Sequence, residues 1–249
     1  MNRNAFRDFL RRRRVARHFA KNGGVFDFHG VTVRLPEGVD VAAANALIRG
    51  KYEHEEATLI TRHLPDHLPI IELGGSLGVV SALVRSKLKP DTRHLIVEAN
   101  PRLIEICEAN AAAGRAGTEI IHGAVYYDGP VARFGIANEV HASAIGQSGS
   151  AEMIEVPAVT LSQLFQRLGS PPRFVLVSDV EGAEYDLFAQ EAETLRHVEL
   201  AIVELHPRNY AALGWNEAEL IRNAASVGLQ VAERLSDVVL LRRDWSIGQ

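Results

Sequence analysis

The chain has 249 residues, of which 47% are hydrophobic and 23% charged, and its formal net charge is −4. This balance excludes a disordered or fibrous protein and fits one folded, enzyme-sized α/β unit with a short accessory segment. A lone cysteine, Cys107, excludes an internal disulfide; with no apolar run of signal-peptide or membrane-spanning length, we expect a cytoplasmic protein that is not an integral membrane protein.

The charge is concentrated at one end of the chain. Residues 1–21 hold eight Lys and Arg against one Asp, a net charge of +7, which leaves −11 for the other residues. With Phe6, Leu10, Val15 and Phe19 among these cations, the segment predicts a basic amphipathic helix. Such a helix either packs on its own domain with a solvated outer face or makes a peripheral contact with an anionic membrane, a nucleic acid or an acidic partner. Because the remaining residues are acidic, we expect no nucleic-acid partner.

The predicted elements before the first buried strand are short. Residues 25–35 alternate apolar and polar side chains and predict a hairpin. Residues 41–64 are rich in Ala, Leu and Glu and predict helical segments that are broken near Gly50. We therefore expect residues 1–50 to form a cap of one basic helix and a hairpin, and residues 51–249 to form the main domain.

From residue 70 onward, short apolar runs alternate with amphipathic stretches. Continuous apolar runs predict strands buried on both faces, and each connection is long enough for a helix, which indicates a mostly parallel, doubly wound sheet. The predicted strands are residues 70–73, 94–98, 119–122, 174–180 and 198–205. The predicted helices are residues 78–88, 102–113, 160–168, 185–195 and 217–227.

Residues 125–159 interrupt this alternation and predict an insertion. They contain an antiparallel pair, residues 131–136 with residues 153–159. The polar segment between them, residues 138–150, is expected to order over a ligand.

The last two predicted strands, residues 230–233 and 238–242, are joined tightly around Ser236 and Asp237. A tight connection joins antiparallel neighbours, so the last strand runs against the others. This arrangement is familiar from class I methyltransferases, whereas a dinucleotide-binding Rossmann domain usually ends with a parallel strand. The fold prediction is therefore α/β, with a class I methyltransferase Rossmann-like sheet.

The first predicted strand runs into a glycine-rich turn with the sequence ELGGSLG. Its glycines let the backbone bend and let a ligand approach closely, and the helix that follows offers its N-terminus to an anionic group. The turn lacks the GxGxxG pattern that binds a pyrophosphate, which favours S-adenosylmethionine over NAD. The predicted cofactor-binding residues of this turn are Glu72, Gly74, Gly75, Ser76 and Gly78.

Acidic and small residues follow the next two strands. Glu98 ends the second strand, where an acid accepts hydrogen bonds from the ribose hydroxyls of an adenosine cofactor. Ala99 lies beside it, and Gly123 and Ala124 follow the third strand, where the adenine ring lies in this architecture. All four are predicted to bind the cofactor, although Glu98 fits NAD as well.

The fourth and fifth strands end in ionisable residues, Asp179 and Glu181 after one and Glu204 and His206 after the other. The carboxyl ends of parallel strands meet at one edge, so these side chains should converge in the cofactor cleft. An alcohol is a poor nucleophile until its proton leaves, and we predict Asp179, Glu204 and His206 as the catalytic residues that can accept it. Asp179 and Glu181 are also predicted to contact the cofactor. A divalent metal bound by the same groups is an alternative that the spacing permits without demanding it.

Several segments together resemble the FkbM family of S-adenosylmethionine-dependent methyltransferases over about residues 50–242. They are Tyr52-Glu53, ELGGSLG, VEANP, Asn110, VPAVTLSQLF, SDVEGAE and VELHP. The resemblance implies a Rossmann-like enzyme, often an O-methyltransferase acting on polyketide, sugar or glycan hydroxyls. It implies that Glu53 lies in a segment closing over the cofactor and that Asp179 lies beside the methyl group.

The sequence departs from the family pattern in three places. The family usually has Asp-x-Gly-Ala-Asn at the first turn, where this chain has Glu72, Gly75 and Ser76. It usually has Lys before the motif Asp, where this chain has Ser178, and Thr-Leu-Asp where this chain has Thr-Leu-Ser ending at Ser162. The missing Lys removes a cation near the acceptor, so the acceptor does not carry over from the family.

The expected function is S-adenosylmethionine-dependent O-methylation of a hydroxyl on a small molecule, a sugar or glycan, or a polyketide, with S-adenosylhomocysteine as product. The alternatives are an NAD-dependent oxidoreductase and a non-catalytic scaffold that binds S-adenosylmethionine. The sequence leaves the acceptor, the metal dependence and the oligomeric state open.

Overall fold

The computed structural model describes residues 3–38, 40–111, 117–136, 144–145, 152–212 and 214–244. The helices are α1 (Arg3–Asn22), α2 (Val41–Ile48), α3 (His54–His63), α4 (Val79–Lys87), α5 (Ile104–Ala111), α6 (Leu161–Arg167), α7 (Glu184–Gln190), α8 (Ala192–Leu195), α9 (Pro207–Ala212) and α10 (Glu217–Ser226). The strands are β1 (Val25–Phe28), β2 (Val31–Arg34), β3 (Ile70–Leu73), β4 (His94–Glu98), β5 (Thr118–His122), β6 (Ala124–Val125), β7 (Val131–Ile136), β8 (Ala144–Ile145), β9 (Glu152–Val159), β10 (Phe174–Ser178), β11 (Val198–Glu204), β12 (Leu229–Leu235) and β13 (Val238–Arg243).

Seven strands form the central sheet, in the order β12-β13-β11-β10-β3-β4-β5. Neighbouring strands from β11 to β5 are parallel. β13 is antiparallel to both of its neighbours, β11 and β12. The structure therefore confirms the predicted α/β fold, a Rossmann-like class I methyltransferase sheet whose last strand runs against the others.

Both faces of the sheet are covered. Along β10, Val175 and Val177 face one hydrophobic cluster, together with the hairpin, α3 and α4. Leu176 faces the opposite cluster, together with α6, α7 and α10. This alternation explains why the central strands are apolar at every position.

The elements predicted ahead of the sheet are present. β1 and β2 form an antiparallel hairpin, and the helical stretch breaks between α2 and α3, where Gly50 has a φ of 61°. Phe28 and Val33 of the hairpin are buried in the same cluster as Leu59 of α3. The proposed division of the chain at residue 50 remains a prediction.

The predicted insertion forms a small second sheet in the order β6-β9-β7-β8. The antiparallel pairing of β7 with β9 confirms the predicted pair. The polar segment that we expected to order over a ligand lies, apart from β8, outside the described residues.

One predicted helix, residues 185–195, is two helices in the structure, α7 and α8. The break lies at Glu191, whose φ of −104° and ψ of 31° leave the helical region. Its carboxylate accepts hydrogen bonds from the backbone N–H of Ser162 at 3.0 Å and from the hydroxyl of Thr194 at 2.8 Å. Among the described helices, none is long and apolar enough to cross a membrane.

Candidate functional site

A cleft opens at the carboxyl ends of β3, β4, β5 and β10. It encloses about 970 Å³, part of which is open to solvent. Every predicted cofactor-binding residue except Gly78 lines it. Among the described residues that line the cleft there is no Lys or Arg, whereas six are Asp or Glu. This acidic lining without a described cation suits a cationic ligand.

The glycine-rich turn forms the floor of this cleft. The backbone N–H groups of Gly74 and Gly75 both donate to the carbonyl of Val97, at 2.9 and 3.0 Å. Gly74 has a φ of 94°, and a Cβ atom there would overlap the carbonyl oxygen of Asp179. Gly74 thus lets the first and fourth strand ends approach each other at the cleft.

Gly78 lies behind the turn. It precedes α4 with a φ of 70°, and a Cβ atom there would approach the Cα of Cys107 to 2.8 Å. Because it contacts α5 and does not line the cleft, its role is to let α4 and α5 pack closely. This differs from the expectation that Gly78 contacts the cofactor.

Glu98 lies at the end of β4 and is 6% exposed. Its carboxylate accepts hydrogen bonds from the backbone N–H of Ser76 at 2.5 Å and of Asn100 at 2.6 Å. Burial raises its pKa, and these hydrogen bonds oppose the rise. The carboxylate is held in place at the cleft wall and keeps lone pairs for a ligand hydroxyl.

Glu72 has a structural role in the geometry observed. It is 2% exposed, accepts a hydrogen bond from the Ser81 hydroxyl, and lies 2.8 Å from Nε2 of the buried His94. Both carboxylate oxygens are therefore engaged inside the protein. This arrangement does not support the expectation that the Glu72 side chain binds the cofactor.

Small and apolar residues form the other end of the cleft. Ala99, Gly123 and Ala124 line it as predicted, together with Leu103 and Phe134. The N–H of Gly123 donates to the Glu98 carbonyl at 3.0 Å, which fixes the end of β5 beside the end of β4. A flat apolar ring fits such a wall.

Three carboxylates from different parts of the chain meet at the opposite end. Oxygen atoms of Glu53, Asp179 and Glu204 lie within 4.8 Å of one another. Burial, and then the negative charge of the neighbouring acids, raises the pKa of Asp179 to about 8 and the pKa of Glu53 and Glu204 to about 7. These acids therefore exchange protons near neutral pH.

His206 adjoins this cluster through both ring nitrogens. Its Nδ1 lies 3.0 Å from Oε1 of Glu184, and its Nε2 lies 3.4 Å from Asp179 and 3.5 Å from Glu181. Burial lowers its pKa, but the hydrogen bond and charge of Glu184, reinforced by Asp179 and Glu181, raise it to about 10. This environment favours the imidazolium form at neutral pH, which makes the carboxylates better suited to accept a proton. The role of His206 as a base remains a prediction.

Two groups of side chains have a geometry compatible with a metal ion. They are Asp179 with Glu181 and His206, and Glu53 with Asp179 and Glu204. The first group requires His206 to lose the proton that its acidic neighbours stabilise. The second group consists of carboxylates alone, which suit Mg²⁺ or Mn²⁺.

Sequence reasoning missed three residues at the site. Tyr52 and Glu56 line the cleft with 4% and 3% exposure, and burial raises the pKa of Glu56 well above its usual range. Glu184 is fully buried beneath His206. Glu56 follows Glu53 by three residues, so helical spacing on α3 was an available signal.

Three of the six described non-glycine residues with a positive φ lie at the cleft. Glu53, Ser76 and Glu181 have φ values of 37°, 47° and 52°, in the left-handed region that non-glycine residues rarely adopt. All three line the cleft. Such strain persists where surrounding contacts impose it, and it is concentrated at functional sites.

Comparison with solved structures gives low similarities. They include the ribosomal protein L11 methylase from Lactobacillus delbrueckii subsp. bulgaricus (14% identity, 76% of this chain and 78% of that chain, TM-score 0.41). Precorrin-6y C5,15-methyltransferase from Geobacter metallireducens GS-15 has 12% identity over 78% of this chain and 89% of that chain, with a TM-score of 0.44. A putative O-methyltransferase from Klebsiella pneumoniae has 13% identity over 76% and 78%, with a TM-score of 0.43.

The amino-acid sequence was also compared with curated proteins and with models of protein families. No curated protein matches the chain significantly. Residues 74–225, from the glycine-rich turn to the last helix, match the family model of the methyltransferase FkbM domain. This match covers more than half of the chain and includes the turn after β3 together with β4, β5 and β10, whose ends line the cleft. The chain belongs to the FkbM family of S-adenosylmethionine-dependent methyltransferases.

Proposed function

We propose that this protein is an O-methyltransferase that methylates a hydroxyl of a small molecule, a sugar or glycan, or a polyketide. The supporting observation is the group of carboxylates at one end of the cleft, with pKa values raised to about 7 and about 8. An amine needs little help to attack a methyl group, whereas a hydroxyl must lose a proton. Carboxylates that titrate near neutral pH are suited to accept it.

The residues along the cleft suit S-adenosylmethionine. Glu98 would hold the ribose hydroxyls, and Ala99, Gly123 and Ala124 would lie against the adenine ring. Gly74 and Gly75 let the turn lie close against Asp179 and against Ile96 and Cys107, and both line the floor where the amino-acid portion would lie. When bound, S-adenosylmethionine supplies an electrophilic methyl group on a positively charged sulfur.

The acidic end would hold the acceptor and its proton. Asp179 lines the cleft and lies beside Glu53 and Glu204, so a proton accepted by one carboxylate can be shared with the others. The walls of the cleft would position the acceptor hydroxyl, which favours methyl transfer. We assign Asp179 as the proton acceptor and Glu53 and Glu204 as the groups that tune its pKa.

His206 then has an electrostatic role. As an imidazolium held by Glu184, it lies 3.4 Å from Asp179 and 3.5 Å from Glu181 and offsets part of their charge. The reaction proposed here needs no metal ion, because proton removal is assigned to carboxylates.

The two other functions considered from the sequence have less support. An NAD-dependent oxidoreductase would need a turn that cradles a pyrophosphate, and residues 74–225 match a methyltransferase family instead. A non-catalytic scaffold would need no acids with pKa values near neutral at the end of the cleft.

The test is transfer of labelled methyl groups from S-adenosylmethionine to a panel of acceptors. The panel contains monosaccharides, oligosaccharides and macrolide alcohols, with matched amines, DNA and RNA. We expect a methyl ether on a hydroxyl acceptor, detected by mass spectrometry and NMR, and no transfer to nucleic acid. Transfer to amines alone would contradict O-methylation, and binding of the cofactor without transfer to any acceptor would favour a scaffold.

Variants assign the roles within the same assay. Asp179→Asn should lower kcat at least about a hundredfold, the usual size of general-base catalysis, while calorimetry still detects S-adenosylmethionine binding. Glu193→Gln removes a carboxylate that is 85% exposed and serves as the matched control. Activity should persist in EDTA, and a complete loss that Mg²⁺ restores would replace the carboxylate mechanism with a metal-dependent one.

A further inference from the structure

The basic helix α1 exposes apolar side chains that no described part of the protein covers. Among the described residues, six large hydrophobic side chains are exposed, and three of them are Phe6, Phe9 and Leu10. Their exposed fractions are 48%, 53% and 42%. Three such side chains within five residues form a patch, unlike the scattered exposed apolar residues found on most surfaces.

This patch lies on the side of α1 that faces away from the protein. The packed side holds Val15, which is 7% exposed, and Phe19, which contacts Phe26 of the hairpin. At 100° per residue, Phe6 and Leu10 point roughly opposite to Val15 and Phe19, and Phe9 lies at the edge of that outer side. The helix is therefore anchored by one side and free to contact a partner with the other.

Cations surround the apolar patch. α1 carries eight Lys and Arg, and its one acid, Asp8, is paired with Arg12 at 2.8 Å. Arg13 and Arg17 are exposed on the same side as Phe6 and Leu10 by their helical positions. The surface combines a strong positive charge with apolar side chains at its centre.

We propose that α1 binds the surface of an anionic lipid bilayer. Phenylalanine and leucine insert between the headgroups, while long arginine side chains reach the phosphates around them. A nucleic acid would match the charge but leave the apolar patch without a partner. No described helix can span a bilayer, so the contact is peripheral.

The experiment is co-sedimentation of the whole chain with vesicles. One set contains phosphatidylcholine alone, and the other an equimolar mixture of phosphatidylcholine and phosphatidylglycerol. We expect binding to the second set only, with weaker binding as the salt concentration rises. Equal binding to both sets, or binding to neither, would overturn the proposal.

Two variants test the cations and the apolar side chains of α1 separately. Arg13→Gln with Arg17→Gln should weaken binding about thirtyfold, because each cation near an anionic surface contributes roughly a factor of five. Phe6→Ala with Phe9→Ala and Leu10→Ala should weaken it more than tenfold without changing the charge. Circular dichroism verifies that both variants keep their helix content.

The matched control removes the other exposed apolar side chains, with Val131→Ala, Met153→Ala and Val231→Ala. It should bind vesicles like the unaltered chain. If light scattering instead finds a dimer that the α1 variants dissociate, a second copy covers the patch. If duplex DNA competes with the vesicles for α1 and still binds after Phe6, Phe9 and Leu10 are replaced, the partner is a nucleic acid. Either result overturns the lipid assignment.

Discussion

Glu184 is a buried carboxylate that organises one end of the cleft. It accepts hydrogen bonds from the backbone N–H groups of Val180 and Gly182, at 3.1 and 2.9 Å, and from the Tyr210 hydroxyl at 3.1 Å. Its fourth partner is Nδ1 of His206 at 3.0 Å. One side chain thus fixes both the loop after β10 and the imidazolium that follows β11.

Replacing Glu184 by glutamine should alter His206 and the stability together. Without the carboxylate charge, we expect the pKa of His206 to fall from about 10, as measured by NMR titration of its ring protons. We expect the free energy of unfolding to fall by about 3 kcal/mol, because a buried charge pair loses one member. Glu193→Gln should change it by less than about 0.5 kcal/mol. An unchanged His206 titration would refute the positioning role.

The raised pKa values also predict how stability depends on pH. Asp179, Glu53 and Glu204 keep protons in the folded protein up to about pH 7 to 8, whereas the unfolded chain releases them near their ordinary pKa values of 3.8 and 4.5. His206 binds its proton up to about pH 10 when folded, against 6.5 for the ordinary group. The folded state therefore binds more protons, and its stability falls as the pH rises.

We expect the melting temperature of the ligand-free protein to fall by roughly 5 °C between about pH 5 and about pH 9. Asp179→Asn should reduce this fall, because it removes one titrating group and a negative charge beside the others. Thermal unfolding at constant ionic strength measures both. A melting temperature that rises with pH would show that these acids are not protonated in the folded chain.

At the scale of elements, the turn between β3 and α4 depends on a glycine that brings two strand ends together. Gly74→Ala combines an unfavourable φ of 94° with an overlap against Asp179. We expect it to lower the free energy of unfolding by more than about 3 kcal/mol and S-adenosylmethionine affinity at least tenfold. Denaturant unfolding and calorimetry measure these effects.

Gly30→Ala is the matched control for this prediction. Gly30 has a φ of 83° at the tip of the hairpin, and a Cβ atom there would meet nothing within 4 Å. The substitution should lower the free energy of unfolding only through backbone strain, by about 1 to 2 kcal/mol, and leave cofactor affinity unchanged. Equal effects of the two substitutions would mean that the contact with Asp179 is unimportant.

The regular elements of the sheet could be predicted because their signals are local. Apolar runs and the tight connection at Ser236 and Asp237 gave β3, β4, β10, β11 and the antiparallel β13. The break at Glu191 could not be predicted, since it depends on a hydrogen bond to Ser162, 29 residues away. The local sequence pattern also did not predict the short helix α9.

The candidate site, too, could be predicted only in part. Strand ends predicted that Asp179, Glu181, Glu204 and His206 would converge, since that follows from topology. The protonation of His206 did not follow, because it depends on Glu184 and on the spacing of acids in three dimensions. The inward position of Glu72 depends on His94, a residue that no sequence pattern singled out.

At the scale of the whole molecule, charge is separated between one helix and the rest. Eight of the 27 Lys and Arg residues lie on α1, against one acid, whereas the cleft is lined by acids without described Lys or Arg. A surface drawn to anionic headgroups and a cleft suited to a cationic cofactor can thus coexist in one chain without competing for the same ligands.

The position of β13 inside the sheet has a consequence for biosynthesis. β13 lies between β11 and β12, and Val238 pairs with Glu204 at the acidic end of the cleft. While the ribosome is still synthesising β12, β11 therefore presents an unpaired edge, and nascent chains with such edges are prone to associate. The edge of β11 that ends at Glu204 is therefore covered only after almost all of the described residues have been translated.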